Sequence, residues 1–248
     1  NKLHILVVDY KQIEFTKNII NCILLQDTKF DLTIFEQTPD EKTRVYMEDL
    51  KNKWNLDGCV LNVVYNSVNA PLNHIWNWFY KNTTNDYLAI LNNDIEICDN
   101  FVSDAIKIFE KERDCGFIIH PTNRKEFTKS NKLKYEILET GYLQGWDFII
   151  KREAYVPIPD DLWIYAGDDF LLKTLIYNGY KEIYDISSPI IHYRSITINE
   201  NKEQIEEICK RDSKTFREKY NKNIRLNYSD NKYTSRKFIE KFNLDLTK

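Results

Sequence analysis

The stretch Asp86-Tyr87-Leu88-Ala89-Ile90-Leu91-Asn92-Asn93-Asp94-Ile95-Glu96-Ile97 decides how this chain is read. Its apolar run, Tyr87 to Leu91, has the length and composition of a strand buried on both faces, and it stops abruptly at Asn92-Asn93-Asp94. A buried strand that ends on a carboxylate delivers it to a crevice, because ligands of open α/β sheets bind just outside the carboxyl ends of the strands. A second acidic pair, Asp168-Asp169, lies far downstream in Ala166-Gly167-Asp168-Asp169-Phe170, and a histidine follows in Ile190-Ile191-His192-Tyr193. Together these groups suggest a metal-assisted transferase.

Outward from that strand, the first half of the chain alternates buried strand with amphipathic helix, the pattern of a parallel sheet covered on both faces. Strands are expected at Leu3 to Val8, Asp31 to Phe35, Val60 to Tyr65, Asp86 to Leu91 and Gly116 to His120. Apolar residues at helical spacing predict helices over Phe15 to Leu25, Asp40 to Trp54, Leu72 to Tyr80 and Phe101 to Glu112, with Asp40 as an N-cap and Pro71 in a first turn. Thr122 to Glu139 is polar and Lys-rich and reads as a loop over the crevice. Beyond it, a strand is expected at Phe148 to Lys151, a helix over Asp168 to Asn178 closed by Gly179, and a strand pair around Glu182 to Tyr193. From Asn199 onward the chain is highly charged and helical in pattern, an appendage in which Lys210, Arg211, Lys214, Arg217, Lys219, Lys222, Arg225, Arg236, Lys237 and Lys241 outnumber the acids.

With 248 residues, 42% of them hydrophobic, the chain can bury a sizeable core without staples. Its five cysteines are odd in number, widely spaced and never in a Cys-x-x-Cys pair, which implies neither a disulfide framework nor a zinc site. Free thiols and strand-sized apolar runs lead to the expectation of a cytoplasmic protein, bacterial or in a host cell, free or peripheral to a membrane. The net charge of -3 argues against an open, sequence-independent nucleic-acid binder. No Gly-x-Gly-x-x-Gly or Walker loop follows the first strand, where Asp9-Tyr10-Lys11-Gln12-Ile13 has no glycine, so dinucleotide dehydrogenases and P-loop enzymes are set aside.

Several stretches, in order, resemble the GT-A glycosyltransferases of family 2. They are Leu3 to Tyr10, Leu24-Leu25-Gln26, Phe30 to Asp40, Asn66 to Asn73, Leu91 to Asp94, Gly167-Asp168-Asp169 and His192, and the likeness covers roughly residues 3 to 195. It implies an α/β GT-A fold with a mostly parallel central sheet flanked by helices. Residues 1–198 would form the catalytic domain, 1–97 its nucleotide-sugar half and 98–198 its acceptor-side half, with 199–248 as a charged helical extension.

The resemblance also implies roles. Tyr10, Glu36, Asp40, Asn66, Asn73, Asn92 and Asn93 would surround a nucleoside-diphosphate sugar, a UDP- or GDP-sugar, with Glu36 on the nucleobase where the family more often has Asp. Leu72 stands where the family often has an arginine before the asparagine at Asn73. Asp94 matches the last aspartate of the family's Asp-x-Asp motif and, with His192, would hold Mn²⁺ or Mg²⁺, hard cations that take oxygen ligands. Asp169 would be the general base of an inverting transfer and Asp168 would orient the acceptor or stabilise the loop. Trp146, Asp147 and Trp163 would face a glycan or glycoprotein acceptor. Two other readings stand beside this one: a non-catalytic nucleotide- or glycan-binding module of the same fold, and a glycosyltransferase acting on modified DNA bases.

Overall fold

The computed structural model describes residues 1–122, 132–138, 140–142, 144–193, 202–220 and 232–234, of which 140–142, 202–204 and 232–234 as backbone only. In chain order the strands are β1 (Leu3–Tyr10), β2 (Asp31–Gln37), β3 (Leu61–Asn66), β4 (Tyr87–Asn92), β5 (Ile95–Glu96), β6 (Cys115–Ile119), β7 (Tyr135–Leu138), β8 (Thr140–Tyr142), β9 (Asp147–Lys151), β10 (Lys181–Asp185), β11 (Ile191–His192) and β12 (Lys232–Thr234). The helices are α1 (Ile13–Leu24), α2 (Glu41–Lys53), α3 (Leu72–Asn82), α4 (Phe101–Lys111), α5 (Gly167–Tyr177) and α6 (Lys202–Thr215), the last running into a π-helical turn at Phe216–Tyr220.

Eight strands form one sheet in the order β3-β2-β1-β4-β9-β6-β10-β7. β9 and β7 run against the other six, so the sheet is mostly parallel. Side chains alternate across it as the strand period of two requires. Leu3, Ile5 and Val7 of β1, with Tyr87, Ala89 and Leu91 of β4, meet α1, α2 and α4 on one face. Leu6 of β1, with Leu88 and Ile90 of β4, meets α3 and α5 on the other. Every residue of β4 from Tyr87 to Leu91 is buried, which is why it reads as an unbroken apolar run. Each such Leu or Ile contributes about 1.5–3 kcal/mol by leaving water.

The helix signals are met at particular residues. The Asp40 side chain caps α2 by accepting from Thr43 N at 2.8 Å, and Gly179, at φ 87°, closes the turn after α5. The expected strand pair over Glu182 to Tyr193 is corrected: β10 lies in the main sheet between β6 and β7, whereas β11 pairs with β5 in a separate two-stranded ribbon. The Asp185 carboxylate turns the chain between them, accepting from Ser187 N, Ser187 Oγ and Ser188 Oγ at 2.9, 2.6 and 2.6 Å. Part of the expected loop over Thr122 to Glu139 is strand β7, at the sheet edge; residues 123–131 and 139 of that loop lie outside the described residues.

The charged extension begins as part of the folded body. Phe216 is fully buried in the α3–α5 core and the Tyr220 hydroxyl donates to Asp161 at 2.9 Å. Lys222, Arg225, Arg236, Lys237 and Lys241 lie outside the described residues. No helix among the described residues is long and apolar enough to cross a membrane.

Candidate active site

The chain runs from β1 through β2 to β3 on one side of the sheet and places β4 on the other, so the strand order reverses between β1 and β4. In open α/β sheets ligands bind outside the carboxyl ends of the strands at such a reversal. Register sets Asp9 beside Glu36, Tyr10 beside Gln37, Gln37 beside Asn66, and Val8 beside Asn92. Tyr10, Glu36, Asn66 and Asn92 therefore share one edge of the sheet. The residues after β1 and β2, Lys11 and Thr38, have left-handed backbones with φ 58° and 51°. Non-glycine residues pay about 1–3 kcal/mol for such conformations, which concentrate at functional sites.

Beneath this edge, Asp9 organises the floor. Its Oδ1 accepts from Gln12 N at 3.2 Å, Thr16 Oγ1 at 2.7 Å and Asn93 Nδ2 at 2.8 Å. The Asn93 amide is thus turned into the protein rather than toward a donor. Glu36 is 0% exposed, and among the described residues neither of its carboxyl oxygens meets a hydrogen-bond donor. Burial, followed by the neighbouring Asp9 carboxylate, pushes its pKa up to about 9, so it is protonated at neutral pH. A nucleobase reaches this carboxyl only if the side chains covering it move.

The remaining donor-side residues are dispersed. Asp40 is spent on the α2 cap and its pKa is lowered by the Thr43 amide. Asn66 donates to Val68 O at 2.9 Å on the surface. Asn73 is fully buried, donating to Leu162 O at 3.2 Å and Tyr165 O at 3.3 Å. It braces the loop before α5.

The short β5–β11 ribbon brings the metal candidates together. β11 pairs His192 with Ile95, and Tyr193 N donates to Asp94 O at 2.9 Å, so Asp94 and His192 stand side by side. His192 Nε2 lies 3.4 Å from Asp94 Oδ2. Asp94 is 9% exposed, and among the described residues its Oδ1 has no hydrogen-bond partner, an orphaned buried oxygen beside an imidazole. That pair fits a divalent cation as two ligands of a larger shell. No group of three or more His, Cys, Asp or Glu among the described residues could hold a metal by itself. Trp146 stacks on His192 with ring centres 4.9 Å apart, and Asn92 N donates to Trp146 O at 2.9 Å. Trp146 therefore orients the imidazole and ties β4 to the turn before β9.

That turn also meets the acidic pair. A Cβ added at Gly145 would lie 2.9 Å from Asp168 Oδ2, so glycine is what lets this carboxylate rest against the backbone one residue from Trp146. Burial raises the Asp168 pKa, against hydrogen bonds from the first amides of α5. Asp169 is buried one turn before Lys173, itself 4% exposed. Burial lowers the Lys173 pKa to about 7, and the Asp169 charge works in the opposite direction. The preceding Ala166 is left-handed at φ 61°, and a Cβ at Gly167 would lie 2.2 Å from Asn73 Oδ1. The start of α5 is thus strained and tightly seated.

Of the acceptor candidates, Asp147 faces inward. It is fully buried, with Oδ2 2.6 Å from His120 Nδ1 and Oδ1 taken by Gln144; His120 Nε2 lies 3.9 Å from Asp185 Oδ2. Trp163 is 41% exposed with the Arg211 guanidinium 4.0 Å from its ring centre. Asp9, under the strand-end edge, and Asp212, which holds the loop before α5, are the organising residues that sequence reasoning missed. Asp9 had one signal, its place at the end of β1; Asp212 had none, because its partners are backbone amides 47–49 residues away.

No family model matches the sequence, and no curated protein matches it. Among solved structures, mannosyltransferase PcManGT from Pyrobaculum calidifontis, in complex with GDP-Man and Mn²⁺, superposes with a TM-score of 0.64 at 13% identity, over 79% of this chain and 57% of that one. The chain has a GT-A fold. Two further GT-A neighbours agree: S. aureus TarS 1-349 (TM-score 0.58, 14% identity, 84% of this chain and 64% of that one) and GalNAc-T7 with UDP, GalNAc and Mn²⁺ (0.63, 12%, 98% and 55%). The chain spans between about half and two thirds of the length of these neighbours. The carboxyl ends of β1 and β4 are where open α/β sheets bind their ligands.

Proposed function

We propose that the protein is a glycosyltransferase that moves one sugar from a nucleoside-diphosphate sugar to a hydroxyl acceptor with inversion, assisted by a divalent cation. The observation that carries this reading is the placement of His192, with Asp94 beside it, on Trp146 and of Asp168 on the adjoining Gly145, in a GT-A fold. TarS binds UDP-GlcNAc and PcManGT binds GDP-Man with Mn²⁺, which supports a UDP- or GDP-sugar donor and Mn²⁺ here.

Asp94 and His192 would hold the cation, which when bound neutralises charge on the departing diphosphate. The chain's own residues do the rest. Trp146, packed on one face of His192, keeps the imidazole aimed at Asp94. The acceptor hydroxyl attacks the anomeric carbon from the face opposite the diphosphate. Its proton passes to a carboxylate of the acidic pair while the bond from anomeric carbon to phosphate oxygen breaks and its electrons leave with the nucleoside diphosphate. We assign that proton to Asp168, the member resting against Gly145. Asp169, the base expected from the sequence, is buried near Lys173 and serves to seat the helix.

Asp168→Asn and Asp169→Asn separate the roles. With donor and a hydroxyl acceptor, Asp168→Asn should lower kcat by about 10²-fold or more at unchanged donor affinity. Asp169→Asn should act first on thermal stability. The reverse pattern returns the base to Asp169. Metal-dependent donor binding by the unaltered chain with neither transfer nor hydrolysis would instead favour a non-catalytic binding module, a reading to which the sealed Glu36 carboxyl lends support.

A further inference from the structure

A groove of about 370 Å³ lies between α6 and the loop that leads into the acidic pair, lined by Tyr165, Cys209, Lys210, Ser213 and Arg217. Its lining carries two cations, and the Asp212 and Glu206 carboxylates act on Cys209 from nearby. Of the five cations from 210 to 219, Arg211 pairs with Asp212, Lys214 with Glu218 at 4.0 Å and Lys219 with Asp161. Among the described residues, Lys210 and Arg217 have no carboxylate within ion-pairing distance, and no acid lines the groove. Two cations, a serine hydroxyl and a phenol around a sugar-sized volume match a phosphate with its sugar: Arg and Lys take the anion, the aromatic ring takes the sugar face.

The groove is a built feature. Asp212 Oδ2 accepts from the backbone amides of Trp163, Ile164 and Tyr165 at 2.9, 2.8 and 3.0 Å, which locks α6 to that loop. Phe216, one turn on, is fully buried. Tyr165 stands three residues before Asp168, so their Cα atoms lie within about 11 Å of each other. Trp163, covered on its ring by Arg211, borders the same loop.

We infer that this groove is an acceptor subsite for a phosphate-bearing glycan, with Lys210 and Arg217 holding the phosphate while the adjoining sugar hydroxyl is presented to the acidic pair. The inference rests on the glycosyltransferase reading for its catalytic meaning, but binding tests it independently. Glucose 6-phosphate, glucuronate, glucose, inorganic phosphate and an oligothymidylate would be titrated by NMR against the full chain and a Lys210→Ala/Arg217→Ala variant whose melting curve shows it folded.

Glucose 6-phosphate should bind the unaltered chain at least about tenfold more tightly than glucose, with the preference lost in the variant and weakened by salt. Inorganic phosphate, which lacks the sugar, and glucuronate, whose anion is a singly charged carboxylate, should each bind more weakly than the sugar phosphate. Equal binding of glucose and glucose 6-phosphate overturns the inference, as does a preference unchanged in the variant. Oligothymidylate binding that needs both cations, without glucose 6-phosphate binding, overturns it in favour of nucleic acid. Hydrolysis of nucleotide sugars by the unaltered chain separates the two claims: variant-sensitive phosphate binding without any hydrolysis sinks the transferase reading, and hydrolysis without phosphate binding sinks the subsite.

Discussion

Asp212→Ala removes one side chain from the charged extension and should loosen the loop that carries α5. In the folded chain the Asp212 side chain is 0% exposed and accepts three consecutive amides at 2.8–3.0 Å, with Arg211 on its other oxygen. A hydrogen bond to a charged group contributes about 1.5–3 kcal/mol, so three would sum to roughly 5–9. That sum is too large, because the side chains of Trp163 and Tyr165 are exposed and the freed amides beside them regain water. A loss of about 3–5 kcal/mol, the range for breaking a buried charge network, remains.

For a folded body of this size that corresponds to a fall in Tm of about 6–20 °C. Thermal and urea unfolding followed by circular dichroism would measure it. Asp212→Asn keeps one acceptor oxygen without the charge and should fall between the two. A loss below about 1 kcal/mol for Asp212→Ala would refute the clasp, and with it the claim that the extension holds the loop before Asp168.

Three further outcomes concern Glu36, Lys173 and Trp146. Glu36 has its pKa raised from 4.5 to about 9, so the folded chain holds the extra proton between those values and stability falls as pH rises through that window. Glu36→Gln should match the unaltered chain near pH 4.5 and exceed it by roughly 2–4 kcal/mol at pH 8, measured by urea unfolding at each pH. Lys173 has the opposite sign: its pKa falls from 10.5 to about 7, the unfolded chain holds more protons between those values, and stability rises with pH there. Lys173→Met should flatten that rise, and an unchanged slope would show that Lys173 keeps its ordinary pKa. Trp146→Leu should raise the Kd for a Mn²⁺–nucleotide complex several-fold to about tenfold by freeing the His192 ring, read by calorimetry.

The sequence made the parallel half of the sheet legible because β1, β2 and β4 are buried on both faces, and an apolar run such as Tyr87 to Leu91 has no other economical reading. Helices α2 and α5 were legible through local chemistry, the Asp40 cap and the turn at Gly179. β5 and β11 were not, since two-residue strands have no period and exist only because residues 95–96 and 191–192 meet. The candidate site divides the same way. Asp94 and His192 sit at strand ends where the pattern places them, and the structure brings them within 3.4 Å. The inward turn of Asn93 onto Asp9, the burial of Asn73 under Gly167 and the sealing of Glu36 all depend on tertiary neighbours that carry no local signal.

The most direct test of the central claim is slow hydrolysis of a panel of UDP- and GDP-sugars with Mn²⁺, by the unaltered chain and by Asp94→Ala. Selective hydrolysis of one donor that requires Mn²⁺ and falls by about 10²-fold or more in the variant is the predicted result. Absence of binding and hydrolysis across the whole panel, or hydrolysis that Asp94→Ala leaves intact, would contradict it.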